Sequence, residues 1–123
     1  MRALIVDDSH FIREYVRAEL EALGWMCTEA RDGREAVGMV AAETFDVMLV
    51  DVNMPVMGGL ACVKKMREEK LAPGMKVMMV TTEADNSFIR QALEFGADEF
   101  LMKPFSLQGL REKLLLMGFE SNR

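Results

Sequence analysis

The chain has 123 residues, of which 50% are hydrophobic, so it can bury one sizeable core but has no room for two. The apolar run that follows Met1, Ala3–Val6, is far shorter than the roughly 20 apolar residues of a membrane span. We therefore expect a cytoplasmic protein without membrane insertion. A formal net charge of −5 argues against a nucleic-acid surface, because binding phosphate backbones requires clustered positive charge.

Apolar runs of strand length alternate with segments of helical periodicity, a pattern typical of βα units and a parallel sheet. The five predicted strands are Ala3–Val6, Met26–Ala30, Val47–Val50, Val77–Val80 and Phe100–Met102. The second contains polar Thr28 and Glu29, which predicts an edge strand, whereas the uninterrupted apolar runs indicate central strands. With the second strand at the edge, we expect an α/β fold with strand order 2-1-3-4-5 and five helices on both faces.

Apolar stripes and capping residues predict the helices. The stripe of the first helix is predicted to comprise Phe11, Ile12, Tyr15, Val16, Leu20 and Leu23. Gly33–Ala42 is the second, Asp85 is expected to cap the fourth, and Ser106 the fifth. We expect one domain over residues 1–119 and a short polar tail over 120–123.

Polar residues interrupt the pattern repeatedly at the carboxyl ends of the predicted strands. In chain order they are Asp7 and Asp8, Asp51, Thr81 and Thr82, and Lys103. A parallel sheet gathers these ends at one edge, where open α/β sheets bind ligands. Three converging carboxylates require a compensating charge, and hard oxygen ligands suit Mg²⁺, with Mn²⁺ also fitting. A lysine and a threonine hydroxyl beside them form an anion cradle, so the pattern indicates phosphoryl transfer to Asp51.

These residues resemble the receiver domains of two-component response regulators, over nearly the whole chain. The matching segments are Val6-Asp7-Asp8-Ser9, Leu49-Val50-Asp51-Val52-Asn53-Met54-Pro55, Met57-Gly58-Gly59, Thr81, and Lys103-Pro104-Phe105. The resemblance implies a flavodoxin-like receiver fold. It also implies that Asp51 is phosphorylated by a histidine kinase or a histidine phosphotransfer protein, and that the chain is a signalling domain which catalyses only its own phosphorylation and dephosphorylation.

The resemblance further assigns roles around the acceptor. It implies that Asp8 and Asp51 bind the metal directly, Asn53 through its backbone carbonyl, and Asp7 mainly through metal-bound water. Lys103 would bind the phosphoryl group. The peptide bond between Lys103 and Pro104 is expected to be cis.

The resemblance also implies a switch that a partner protein reads. Thr81 would move toward the phosphoryl group and Phe100 would turn inward, which alters the surface of the fourth helix, fifth strand and fifth helix where a downstream target binds. Asn53, Thr82 and Glu83 are expected to set the rate of acyl-phosphate hydrolysis. Asn53 and Glu83 resemble the corresponding pair of chemotaxis regulators, which predicts fast hydrolysis, and the branched Thr82 is expected to slow it.

Two other functions stay open at this point. A metal-dependent phosphatase could use Asp51 and Asn53 as a catalytic Asp-x-Asn pair, although the short loops offer no substrate-binding insertion. A pseudo-receiver would bind a partner without phosphorylation, although such proteins usually lack the acidic pair, the acceptor or the lysine, all of which this chain has. We expect a stand-alone regulator, while a segment cut from a longer regulator would have the same sequence.

Overall fold

The computed structural model describes residues 1–82 and 86–119. Two predictions, the cap at Asp85 and the tuning role of Glu83, lie outside the described residues, as does the tail 120–123.

Five strands and five helices alternate along the described residues. The strands are β1 (Arg2–Val6), β2 (Met26–Ala30), β3 (Val47–Asp51), β4 (Lys76–Thr81) and β5 (Glu99–Met102). The helices are α1 (His10–Ala22), α2 (Gly33–Ala42), α3 (Gly59–Glu68), α4 (Asn86–Glu94) and α5 (Leu107–Leu116). All strand pairs are parallel, and the order is β2-β1-β3-β4-β5. The predicted fold class and strand order are thus confirmed.

The sheet is covered on both faces because side chains of successive strand residues point in opposite directions. On one face, strand residues such as Ile5 and Leu49 pack with α1 and α5. On the other, residues such as Leu4 and Met48 pack with α2, α3 and α4. β3 is buried along its whole length, whereas β2 is mostly half-buried at the sheet edge, as its polar residues predicted.

Side-chain caps fix where three of the helices begin. Ser9 accepts a hydrogen bond from the Ile12 N–H at the start of α1, and Ser106 accepts one from the Gly109 N–H at the start of α5. The second of these confirms the predicted cap. Asp32 does the same for α2. Among the described residues, no helix is long and apolar enough to cross a membrane.

Two residues of the predicted apolar stripe of α1 lie outside the core. Phe11 and Tyr15 are exposed, although Val16, Leu20 and Leu23 are buried as expected. The reason is the rotation of the helix about its axis, because Arg13 lies on its buried side, three and seven residues before Val16 and Leu20. Phe11 and Tyr15 instead stack on each other, and Tyr15 contacts the ring of Phe105.

Candidate functional site

The three predicted carboxylates converge at the carboxyl edge of the sheet. Val6 of β1 lies opposite Val50 of β3, so the residues that follow each of them, Asp7 and Asp51, reach the same edge. Oxygen atoms of Asp7, Asp8 and Asp51 all lie within 4.8 Å of one another. Asp7 and Asp51 are buried, while Asp8 is exposed. Two shielded carboxylates and one at the surface therefore form an acidic pocket that is open on one side.

Lys103 bridges the two buried carboxylates. Its Nζ lies 3.1 Å from Asp7 Oδ2 and 3.2 Å from Asp51 Oδ1. The lysine is carried there by β5, and its backbone N–H donates to the carbonyl of Thr81 at the end of β4, at 2.8 Å. The peptide bond between Lys103 and Pro104 is cis, as the resemblance implied.

The pKa values reflect this crowding of like charges. Burial and then the neighbouring Asp7 raise the pKa of Asp51, and the Lys103 ammonium only partly opposes them. Burial tends to lower the pKa of Lys103, but its hydrogen bond and charge contact with Asp7, and those with Asp51, outweigh burial and raise it. Lys103 is thus held as a cation, yet one positive charge does not balance three carboxylates.

The residues present fit a hard divalent cation. The side chains of Asp7, Asp8 and Asp51 offer carboxylate oxygens only, which Mg²⁺ and Mn²⁺ prefer over soft metals. The remaining negative charge and the raised pKa of Asp51 indicate an uncompensated charge that such an ion would neutralise. Asn53, the other predicted ligand residue, lies two positions beyond β3 and is exposed.

Close backbone packing holds the loop after Asp51 against the strand. The Val52 N–H donates to Val80, and the Gly59 N–H donates to Val52, both at 3.0 Å. A Cβ at Gly59 would lie 2.5 Å from the Asp51 carbonyl, and one at Gly58 would lie 2.6 Å from the Val52 carbonyl. Only glycine permits this approach, which explains the pair in the predicted turn and fixes the chain on either side of the acceptor.

The predicted switch residues lie on the two strands beyond β3. Thr81 is the buried last residue of β4, one position after Val80, which pairs with Asp51. Thr82 follows at the surface and, together with Lys103, lines a groove of about 440 Å³. Phe100 is half-buried and packs against the core on the side of α2, α3 and α4.

Sequence reasoning missed two charged residues beside the site, Arg13 and Glu29. Arg13 is buried and donates a hydrogen bond to the Asp7 carbonyl, while its Nε pairs with Glu29 of β2 at 2.8 Å. A signal was present, because Arg13 shares the spacing of the buried residues Val16 and Leu20, and Glu29 is the charged residue of β2.

An open parallel α/β sheet with this strand order and an acidic, lysine-bridged site at its carboxyl edge defines a doubly wound ligand-binding protein. Comparison with known proteins narrows the class. Residues 3–115 match the family model of the response regulator receiver domain, and the chain belongs to that family.

Individual relatives agree. The chemotaxis protein CheY homolog of Campylobacter jejuni is 40% identical over 116 residues, covering 93% of this chain and 89% of that protein. The structure of chemotaxis protein CheY4 of Vibrio cholerae is similar at a TM-score of 0.87 and 36% identity, covering 94% of this chain and 96% of that one. The structure of a Burkholderia pseudomallei response regulator with a phosphorylated aspartic acid and a calcium ion is similar at a TM-score of 0.82 and 25% identity. The similarity covers 92% of this chain and 65% of that one.

Proposed function

We propose that this receiver accepts a phosphoryl group on Asp51 from a histidine kinase or a histidine phosphotransfer protein, with Mg²⁺ as cofactor. The observation that carries the proposal is the Lys103 ammonium between Asp7 and Asp51, within a group of three converging carboxylates. Asp51 is the member of that group at the end of the buried central strand, and its surroundings are fixed by the backbone contacts of Gly59.

The chemistry follows from the charges at the site. A carboxylate oxygen of Asp51 attacks phosphorus, an acyl–phosphate bond forms, the bond between phosphorus and the donor imidazole breaks, and that nitrogen retains the electron pair. Lys103 binds the transferred group, and the hydroxyl of Thr81 donates to one of its oxygens. When bound, Mg²⁺ neutralises charge on the carboxylates and on the phosphoryl oxygens.

Within this proposal, Asp8 and Asp51 bind the metal directly, Asn53 binds it through its backbone carbonyl, and Asp7 acts mainly through metal-bound water. Mn²⁺ would substitute for Mg²⁺, because it also prefers oxygen ligands. The phosphorylated aspartic acid of the Burkholderia pseudomallei relative, whose structure also contains a calcium ion, supports aspartate phosphorylation.

Phosphorylation would change the surface of α4, β5 and α5, where a downstream target protein binds. Thr81 would move toward the phosphoryl group and Phe100 would turn further into the core, so that phosphate shifts a population between two packings. Leu93 on α4 and Met102 on β5 are exposed apolar residues of these elements, so they are available for contact with a partner. The names of the chemotaxis relatives support a role in chemotaxis, and within this proposal the protein acts in the cytoplasm.

The lifetime of the acyl phosphate would depend on Asn53, Thr82 and Glu83. The exposed position of Thr82 in the groove beside Lys103 supports the idea that its branched side chain narrows the approach of water. Residues 1–119 form the receiver unit in this proposal, and 120–123 a polar tail. The match of the family model over 3–115 supports that division.

An Asp51→Asn variant tests the acceptor. With acetyl phosphate and Mg²⁺, the wild-type chain should gain one phosphoryl group that neutral hydroxylamine removes, whereas Asp51→Asn should gain none. Loss of one of three repelling carboxylates should leave the variant at least as stable as the wild type, so loss of labelling would not reflect unfolding.

Asp46→Asn is the matched control, because Asp46 precedes the opposite end of β3 and its oxygen accepts from the Arg2 N–H, as an Asn oxygen also can. It should be labelled like the wild type. Persistent labelling of Asp51→Asn would overturn the assignment. Steady turnover of phosphate esters beyond one group per chain would favour a phosphatase, and full signalling by Asp51→Asn without any acyl phosphate would favour a pseudo-receiver.

A further inference from the structure

We infer that Arg13 is a positioning residue for the divalent-cation site, and that it sets cation affinity by fixing the backbone of Asp7. The inference rests on the proposed cation site and adds to it a residue outside the acidic group. Arg13 donates to the backbone carbonyl of Asp7. It therefore acts on the cation site through the backbone of Asp7 and not as a ligand.

Arg13 makes contacts in three directions from a buried position. Its side chain, in a residue only 8% exposed, donates from Nη1 to the Asp7 carbonyl at 2.6 Å and from Nε to Glu29 Oε1 at 2.8 Å. Its Nη2 lies 3.4 Å from His10 Nδ1. A guanidinium presents its donors in a rigid fork, so satisfying one partner orients the group toward the next.

Glu29 is itself held from two sides. Its second oxygen, Oε2, accepts from Arg17 Nη1 at 2.8 Å, while Arg13 occupies Oε1. Burial alone would raise the pKa of Glu29, but hydrogen bonds from Arg17 and Arg13 lower it on balance, so the carboxylate stays charged at neutral pH. A charged Glu29 on the sheet edge therefore provides a fixed point for Arg13.

The main chain of Asp7 is consequently bonded at both of its polar groups. Its N–H donates to the Ala30 carbonyl of β2 at 3.1 Å, and its carbonyl accepts from Arg13. Asp7 Oδ1 also accepts from the Ser9 N–H at 2.8 Å, across the turn that contains Asp8. Because both acidic residues extend from this short segment, any rotation of the Asp7 peptide would move their oxygens relative to Asp51.

Position and charge predict opposite results, which makes the role of Arg13 testable. If Arg13 acts by position, weakening its fork should reduce cation affinity whether or not the positive charge is kept. If it acts only as a nearby cation that repels Mg²⁺, removing its charge should increase the affinity. Arg13→Lys keeps the charge but not the fork, and Arg13→Gln removes the charge.

Mg²⁺ binding is measured by titration of the full chain, following the backbone amide signals of Asp8 and Val52 by nuclear magnetic resonance. We expect both Arg13 variants to bind Mg²⁺ about tenfold more weakly, the lower end of the effect reported for groups that orient metal ligands. The Mg²⁺ concentration for half-maximal phosphorylation by acetyl phosphate should rise by the same factor, while the rate at saturating Mg²⁺ changes less than twofold.

Arg67→Gln is the matched control, since Arg67 also donates to a backbone carbonyl, that of Gly96 at 3.1 Å, but does so from the last turn of α3 rather than beside the acidic group. It should change Mg²⁺ affinity less than twofold. Unchanged or tighter binding in both Arg13 variants would overturn the role of Arg13 alone, as would an equal loss in Arg67→Gln. A wild-type chain that binds no Mg²⁺ would overturn the cation site itself and this inference with it.

Discussion

Val56 has a left-handed backbone conformation in the loop that follows the acceptor. Its φ is 68°, and its side chain is 75% exposed, so no burial compensates the conformation. For an L-residue this region costs about 1–2 kcal/mol, and branching at Cβ makes it less favourable still. The loop between Asp51 and Gly58 thus holds backbone strain near the site.

Replacing Val56 with Asn should stabilise the protein. Asn tolerates the left-handed region, so we expect the free energy of unfolding to rise by about 1 kcal/mol, measured by urea denaturation. Val56→Thr retains the branch at Cβ and should give no comparable gain. Equal stabilisation by Thr would show that removing an exposed apolar side chain, rather than relieving strain, is the cause.

Among the helices, α2 follows the edge strand β2 and begins beside the acceptor loop. Two side-chain hydrogen bonds stabilise its first turn. Asp32 Oδ1 accepts from the Glu35 N–H at 2.9 Å, and Glu35 Oε1 accepts from the Arg31 N–H at 3.0 Å. The next residue, Gly33, donates its N–H to the Met57 carbonyl at 2.9 Å. The cap therefore stabilises a helix end that touches the segment following Asp51.

Asp32→Ala should destabilise the protein by about 1 kcal/mol, because the Glu35 N–H loses its acceptor. Asp32→Asn keeps an oxygen at the cap and should cost only a few tenths of a kcal/mol, or about a third of the alanine effect. The midpoint of urea denaturation gives both values. If Asp32→Asn lowered the free energy of unfolding as much as Asp32→Ala, the negative charge near the helix start would matter more than the hydrogen bond.

At the scale of the molecule, the described residues form two hydrophobic clusters on opposite faces of one sheet. Ile5 belongs to the cluster under α1 and α5, and Met66 to the cluster under α2, α3 and α4. Both side chains are almost completely buried. The central strands contribute side chains to both clusters, so both clusters stabilise the same sheet. Ile5 and Met66 themselves belong to different clusters.

Ile5→Val should cost about 1 kcal/mol and Met66→Ala about 3 kcal/mol, from lost burial and the cavities left behind. Because the sites are on opposite faces, the double variant should lose the sum to within about 0.5 kcal/mol. The free energies come from urea denaturation of the four proteins. A clear departure from additivity would show that the sheet transmits packing changes between its faces.

The five strands, their order and the residue types at the carboxyl edge could all be predicted from the amino-acid sequence. Uninterrupted apolar runs require burial on two faces, and Thr28 and Glu29 in β2 exclude that strand from the centre. The positions of Asp7, Asp51 and Lys103 at strand ends then followed, because parallel strands end at one edge. These inferences needed only periodicity and connectivity, which are local properties of the chain.

Which side of α1 is buried, and how the charged side chains pair, could not be predicted without the three-dimensional structure. Apolar spacing places Phe11 and Tyr15 in the stripe of α1, but it leaves the rotation of the helix open by about one position in a turn of 3.6 residues. The folded chain buries Arg13 and leaves those two rings exposed. The contacts of Lys103 with two aspartates, and of Arg13 with Asp7 and Glu29, join residues far apart in the chain. Such pairings depend on side-chain directions in the packed molecule, which the local sequence pattern does not encode.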